Sequence, residues 1–198
     1  MQTVKIEGKL RATTGKKSSG DSRRAGMVPC VVYGEKNIHF EVPTLALRDL
    51  IYTPDFRLAE ITVDGQTVNA IVKEVQYHPL RDNVLHVDFL QLVPGRKFLA
   101  DIPVRVTGNS VGVRKGGKLV TKVRKVRVKM LPEAMVDSMV IDVTELDLGK
   151  SLRVRDIELI EGVEIMNTGS IPVVTIDIPR ALRSAQAEEA KETGKKKK

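Results

Sequence analysis

The sequence has no tryptophan, a single cysteine and few aromatic residues of any kind. One cysteine can form neither an internal disulfide nor a thiolate metal cluster, so Cys30 excludes both from the chain. Aromatic residues make up 4% of the sequence, which argues against a protein that stacks single-stranded bases on exposed rings. A partner must therefore be recognised mainly through charge and hydrogen bonds.

Long apolar segments are also missing. No run approaches the length that spans a bilayer, and the N-terminal residues lack the apolar core of a signal peptide. We therefore expect a cytoplasmic protein with no membrane partner. Hydrophobic residues still account for 41% of the 198 residues, which is enough for one large domain or two small ones.

The positive charge of the chain is concentrated in two blocks, and the net charge is +8. Residues 1–33 contain seven Lys/Arg and two acidic residues, while residues 94–129 contain eleven Lys/Arg and one acidic residue. The segments that follow these blocks, 34–93 and 130–180, are net acidic. This alternation favours a polyanionic partner that is contacted at two places over a uniformly charged surface.

Short segments of alternating polarity dominate the chain and predict a mainly β protein with a few short helices. Residues 1–94 are expected to form a small, closed or nearly closed β-barrel domain. Residues 95–180 predict a second, antiparallel β domain, and residues 181–198 a charged tail that is frayed or disordered. The strongest local signal is the hairpin about Asp64-Gly65, because this dipeptide favours the tight turn that matches strand twist.

The other N-terminal segments carry loop and helix signals. Residues 12–22 are small, polar and basic, so they predict a loop that needs a partner to become ordered. Residues 22–26 predict a short helical turn that is stopped by Gly26. Thr44 is expected to cap a helix over residues 45–51.

Residues 76–90 combine histidine and aspartate with a strand pattern. His86 and Asp88 share one strand face with Val84, and the apolar residues between them form the opposite face. Three interpretations remain open: a metal site that includes His78, a base–carboxylate pair for catalysis, or a purely structural pair. The spacing matches no zinc signature, and the chain offers no matching nucleophile, since Cys30 lies in an apolar strand. A soluble two-domain enzyme or small-anion binder that uses His78, His86 and Asp88 is the alternative function.

The second basic block surrounds a glycine-rich segment. Residues 112–117 lack both the spacing and the following helix of a phosphate-binding loop, so a hairpin turn is the better interpretation. The density of cations exceeds what solubility requires and favours a nucleic-acid contact over a solvated face. The residues of this second nucleic-acid contact are expected to be Arg114, Lys115, Lys118, Lys122 and Arg124.

Motifs in both halves of the chain resemble one known family. The N-terminal motifs are Arg11, Gly15-Lys16-Lys17, Ser22-Arg23-Arg24, Gly26, Pro29, Val32-Tyr33-Gly34, Tyr77-His78-Pro79 and His86-Val87-Asp88-Phe89. In these residues the chain resembles the bacterial ribosomal protein L-twenty-five family. The C-terminal motifs resemble the longer two-domain members, called general stress protein CTC, and they are Gly112-Val113, Gly116-Gly117, Leu119, Ile141-Asp142-Val143, Leu146, Leu148-Gly149 and Leu152.

The resemblance, which extends from residue 1 to about residue 180, implies a structural constituent of the ribosome and not an enzyme. It implies no cofactor, no metal and no small-molecule substrate. The expected partners are 5S rRNA, which the N-terminal domain would bind, and other components of the large subunit. A wide RNA minor groove is read through 2′-hydroxyls, base edges and phosphates, which suits the shortage of aromatic residues. The RNA-binding residues that the family implies are Arg11, Lys16, Lys17, Ser18 or Ser19, Arg23, Arg24, Tyr33, His86 and Asp88.

Overall fold

The computed structural model of the protein describes residues 2–180, so the charged tail that was predicted for residues 181–198 lies outside the described residues. The chain divides into two compact units. Among the described residues, one comprises those up to Ala100 together with Lys129–Asp137, and the other comprises Asp101–Val128 and those from Ser138 to Arg180. Strands dominate both, which confirms the predicted fold class. Among the described residues, no helix has the length and apolar character needed to cross a bilayer.

Six strands of the first unit close into a β-barrel. They are β1 (Thr3–Leu10), β2 (Met27–Tyr33), β3 (Ile38–Pro43), β4 (Leu58–Val63), β5 (Gln66–Tyr77) and β6 (Val84–Gln91). Their order is β1-β3-β2-β6-β5-β4, and β4 pairs with β1 to complete the barrel. The β1–β4 and β2–β6 pairs are parallel, and the other four are antiparallel. Closure satisfies the backbone hydrogen bonds that open sheet edges leave free.

The β4–β5 hairpin forms where the sequence predicts it. Asp64 and Gly65 both have positive φ angles, of 48° and 79°. Two successive residues in this conformation make the turn whose twist matches the flanking strands, and aspartate and glycine tolerate it better than other residues. Val63 pairs with Gln66 directly beside the turn.

The barrel interior is filled by aliphatic side chains around two phenylalanines. Phe40 and Phe89 are fully buried, and their ring centroids lie 5.9 Å apart. Cys30 lies in the same core, where burial raises the pKa of its thiol to about 12. Cys30 is therefore the inert core thiol that its apolar strand predicts.

Strand β6 departs from strict alternation at its start. Val84 lies in the barrel core, whereas Leu85 is only partly buried. The expectation that Val84 shares a face with the polar residues of β6 is therefore wrong. The pairing of β5 with β6 shifts register between Gln76 and Tyr77, opposite this point, and such an irregularity changes which side chains face inward.

The segment between β1 and β2 is helical where a loop was expected. Helix α1 spans Lys16–Arg24, so the prediction of an irregular loop over residues 12–22 is wrong from residue 16 onward. The helix begins after Gly15, whose φ is 123°, and no side chain caps its first turn. None of its residues is buried. The sequence therefore has no apolar stripe that could have predicted the helix.

The second helical segment begins with a 3₁₀ turn, Thr44–Leu47, and continues as the short helix α2, Arg48–Ile51. Thr44 does not cap it. The Thr44 hydroxyl donates instead to the carbonyl of Gly26, at 3.0 Å, and so ties the start of β2 to the end of β3. The predicted helix is confirmed in position, and the predicted cap is wrong because a tertiary acceptor competes for the hydroxyl.

The remaining strands form two sheets. They are β7 (Phe98–Thr107), β8 (Lys118–Thr121), β9 (Lys125–Met130), β10 (Met139–Asp142), β11 (Ser151–Arg153), β12 (Val163–Ile165) and β13 (Pro172–Asp177). One sheet has the order β10-β7-β9-β12 and the other the order β11-β13-β8. The β7–β10 pair is parallel. The sequence predicted an antiparallel domain, and this pair departs from that prediction. The long connection between Thr107 and Met139 provides the crossover that a parallel pair requires.

The glycine-rich segment 112–117 forms no hairpin turn. Residues Val111–Arg114 make a short helix, α3, and the amide of Gly117 donates to the carbonyl of Gly112 at 2.9 Å. A Cβ atom on Gly112 would lie 2.8 Å from the backbone nitrogen of Leu148, and one on Gly117 would lie 2.5 Å from Ile176. The prediction of a hairpin is wrong. Gly112 and Gly117 lack side chains, and this lets the segment pack closely against Leu148 and Ile176.

Candidate nucleic-acid interface

Helix α1 packs against the outside of the barrel at β2. Cys30 and Val32 belong to the barrel core, so Val31 between them faces outward. Val31 is nevertheless buried, with 5% of its surface exposed. The helix thus covers part of the outer face of β2 and leaves its own polar side chains toward solvent.

Hydrogen bonds from polar side chains hold α1 in this position. One Nη atom of Arg11 donates to the hydroxyls of Ser18 and Ser19, at 3.0 and 3.1 Å. The Ser22 hydroxyl donates to the Glu41 carboxylate on β3, at 2.8 Å. Arg11, Ser18 and Ser19, which the family implies as RNA ligands, therefore contact one another and orient the helix. Sequence reasoning missed Glu41, although the alternation of β3 places it on the outer face.

The basic residues of α1 occupy both ends of the helix. Lys16 and Lys17 are exposed in the first turn. In the last turn, Arg24 lies 2.8 Å from the Asp21 carboxylate, so its charge is partly offset within the helix. The Nε of Arg23 donates to the carbonyl oxygen of Leu85 at 3.0 Å. This bond connects α1 to β6 and sets an exposed arginine beside the histidine and aspartate of that strand.

His86 and Asp88 form a close pair on the outer face of β6. Their Nδ1 and Oδ1 atoms are 2.7 Å apart, and the two side chains are 22% and 19% exposed. The His86 Nδ1 is shielded from solvent and has no well-aligned hydrogen bond, so the contact is close but has poor donor geometry. Within residues 2–180 no protein group donates to the second carboxylate oxygen of Asp88. The predicted pair is therefore real, and it retains acceptor capacity.

Tyr33 lies at the end of β2, two residues beyond Val31 and on the same outer face. It pairs with Leu90 in the parallel β2–β6 ladder, as Val31 pairs with Asp88. The Lys73 ammonium lies 5.5 Å from the centroid of the Tyr33 ring, within the range of a cation–π contact. The outer face thus continues from α1 across β2 and β6 to a tyrosine with a lysine over its ring.

His78 does not join the His86–Asp88 pair. Its Nδ1 accepts hydrogen bonds from the backbone amides of Leu80 and Arg81, at 3.2 and 3.3 Å, and so closes the turn between β5 and β6. Throughout residues 2–180, no three His, Cys, Asp or Glu side chains are grouped to hold a metal ion. The alternative function that used His78, His86 and Asp88 as one cluster therefore has no geometric support.

The five cations predicted as a second contact, within the second basic block, are all exposed, and they lie in or beside α3, β8 and the β8–β9 connection. Lys115 is paired with the Asp147 carboxylate at 3.0 Å, which lowers the pKa of Asp147. Lys118 lies opposite Asp177 in the β8–β13 pairing. Lys122 and Arg124 lie in the connection from β8 to β9.

Each half of the chain matches the model of a known protein family. Residues 6–89 match the model of the Ribosomal L25p family, and residues 97–180 match that of the ribosomal protein TL5 C-terminal domain. The large ribosomal subunit protein bL25 of Cytophaga hutchinsonii is 43% identical over 192 residues, which cover 96% of this chain and 100% of that protein.

Two further relatives extend the comparison. The bL25 protein of Phocaeicola vulgatus is 39% identical over 195 residues, covering 94% of this chain and 98% of that protein. That of Amoebophilus asiaticus is 38% identical over 198 residues, covering 100% of both chains. These relatives are named as ribosomal proteins and not as enzymes. The resemblance predicted from the motifs is thereby confirmed, and the chain belongs to the bL25 family of large ribosomal subunit proteins.

Proposed function

We propose that this structural component of the ribosome binds 5S rRNA within the large subunit, and so acts in the cytoplasm next to other components of that subunit. The contact is the α1–β6 surface, which comprises α1 with Tyr33, His86 and Asp88. The observation that carries the proposal is the bond from Arg23 to the Leu85 carbonyl. It joins the basic helix and the polar strand into one face that can meet one nucleic acid.

The groups of the α1–β6 surface divide into two kinds. Lys16, Lys17 and Arg23 are exposed cations that neutralise phosphates, and they supply affinity that weakens with salt. Asp88 carries the wrong charge for a phosphate, so against RNA its carboxylate must accept a hydrogen bond from a base amine or a 2′-hydroxyl. A surface of this composition reads a defined feature of the RNA as well as its charge.

An open cleft beside α1, lined mainly by polar residues, supports this interpretation. Its volume is about 720 Å³, and its lining includes Lys16, Lys17, Ser18, Asp21 and Glu41. The two carboxylates, on Asp21 and Glu41, can accept hydrogen bonds from 2′-hydroxyls, while the lysines contact phosphates. A ribose–phosphate backbone presents both kinds of group at short intervals. The cleft therefore suits RNA better than DNA.

Substitution of Asp88 by asparagine tests the proposal. Asp88→Asn keeps the shape of the side chain and removes one negative charge, but it replaces one acceptor oxygen by a donor. Loss of a charge-assisted hydrogen bond costs about 1.5–3 kcal/mol, so the affinity for isolated 5S rRNA should fall, with little change in its salt dependence. The matched control is Asp64→Asn, which removes the same charge at the β4–β5 turn, where asparagine also tolerates positive φ.

Three outcomes are distinguished by measuring RNA affinity together with the melting temperature. Weaker binding by a stable Asp88→Asn variant supports the proposal. Tighter binding that matches the Asp64→Asn control means that Asp88 acts only through its charge. A lower melting temperature with unchanged affinity means that the His86–Asp88 pair is structural, and that result contradicts the assignment of this face.

A further inference from the structure

The connection between β8 and β9, together with the first residue of β9, presents an unpaired cluster of positive charge. Lys122, Arg124 and Lys125, which we call the cationic turn, are all exposed. In the part of the chain that the structure describes, none of the three is in an ion pair. Two nearby cations differ in this respect: Arg127 lies 3.0 Å from the Asp101 carboxylate, and Lys115 is paired with Asp147. The cationic turn therefore keeps its charge for a partner.

The backbone of the cationic turn is fixed from two sides. The amides of Lys122 and Val123 both donate to the carbonyl of Val173 on β13, at 2.8 and 3.3 Å. The carbonyl of Arg124 accepts from the amide of Val104 on β7, at 2.9 Å. A segment that is held in this way loses little backbone entropy when it binds, so its charges are preorganised.

We propose that the cationic turn binds a phosphodiester backbone of ribosomal RNA, as a second contact distinct from the α1–β6 surface. Three cations in four residues suit phosphates, which accept from lysine and arginine without requiring a particular base. The cores of protein–protein interfaces instead rely on aromatic and large apolar side chains. The turn offers only Val123, which is partly buried. The inference requires membership of a ribosomal family but not the assignment of the first surface to 5S rRNA.

A salt titration with the full-length chain tests the charge part of the inference. Large subunits that have been stripped of this protein by high salt are titrated with the parent and with the double variant Lys122→Ala/Arg124→Ala. Each lost phosphate contact lowers the slope of log K against log[KCl] by about one, so the double variant should lower it by about two. The matched control, Lys150→Ala/Arg153→Ala, removes one exposed lysine and one exposed arginine elsewhere and should leave the slope unchanged. Equal slopes for the two double variants would overturn the inference.

A tethered cleavage probe then identifies the class of partner. Because Cys30 is buried and its thiol pKa is raised, an Arg124→Cys variant carries one reactive thiol to which an iron chelate can be attached. Hydroxyl radicals from this site should cut rRNA in reconstituted subunits, whereas the same probe at Arg153→Cys should not cut the same nucleotides. Cleavage of a neighbouring protein in place of RNA would overturn the inference. The 5S proposal is tested separately, with isolated 5S rRNA and the Asp88 variant, so one can fail without the other.

Discussion

The guanidinium of Arg23 on α1 donates its Nε–H to the backbone carbonyl of Leu85 on β6, at 3.0 Å. The two residues are 62 positions apart in the chain. A backbone acceptor fixes the plane of the guanidinium, and the remaining N–H groups are left for a partner. Arginine at this position thus does two things: it secures the helix to the barrel, and it presents charge at a defined place next to His86 and Asp88.

The affinity for 5S rRNA should depend on both the charge and the shape of the Arg23 side chain. Arg23→Ala is expected to weaken binding to 5S rRNA and to lower the salt slope by about one, because one phosphate contact is lost. Arg23→Lys should keep most of the slope but bind more weakly, since the ammonium cannot retain the planar Nε–H bond while it meets a phosphate. Filter binding over a range of KCl concentrations measures both quantities. Arg48→Ala on α2 removes an equal charge outside the surface, and a slope change as large as that of Arg23→Ala would argue against a specific contact.

The Ser22–Glu41 hydrogen bond should control how firmly α1 is held. Ser22→Ala removes the donor and leaves a partly buried carboxylate without it, so we expect a loss of about 1–3 kcal/mol in the local stability of the helix. Amide hydrogen exchange of residues 16–24 should accelerate, and 5S rRNA should restore part of the protection. Glu41→Gln keeps an acceptor oxygen at the same place and should exchange nearly as the parent does. Unchanged protection in Ser22→Ala would show that packing against β2, and not this bond, holds the helix.

The Cys30 thiol should make the stability of the barrel sensitive to alkali. Its pKa is raised from 9.0 to about 12, mainly by burial, so above pH 9 the unfolded thiol loses its proton while the folded thiol keeps it. The unfolded state then binds fewer protons, and the free energy of unfolding falls as the pH rises from 9 toward 12. Urea titrations of the parent and of Cys30→Val at pH 8 and pH 10 measure this difference. The variant should lose less stability between the two values, and equal losses would contradict the role of Cys30.

Local patterns in the sequence predicted the features that depend on neighbouring residues. The Asp64-Gly65 turn is one, because two residues with positive φ suffice to define it. The His86–Asp88 pair is another, since the two-residue period of a strand places both side chains on one face. Family motifs added the expectation that residues of α1 bind RNA, although not the secondary structure of that segment.

The features that sequence reasoning missed depend on distant residues. Helix α1 has a glycine in its middle and no buried residue, so neither propensity nor periodicity indicates a helix. It is held by the contacts of Ser22 with Glu41 and of Arg23 with Leu85, which only the folded barrel brings together. The parallel β1–β4 and β2–β6 pairs were likewise not predicted, because alternation indicates a strand but not its partner.

The parallel pairs of the barrel also dictate an order of events during synthesis of the chain. Strand β1 cannot complete its pairing with β4 until Val63 has been added, and β2 cannot complete its pairing with β6 until residues 87–90 have been added. Contacts of such sequence separation close late, since the entropy of a long loop must be lost first. The basic segment that becomes α1 therefore leaves the ribosome well before Leu85, its acceptor on β6, exists. A nascent chain that ends before β6 carries the basic residues of α1 without the barrel that positions them, so the arrangement of the α1–β6 surface exists only once the barrel is complete.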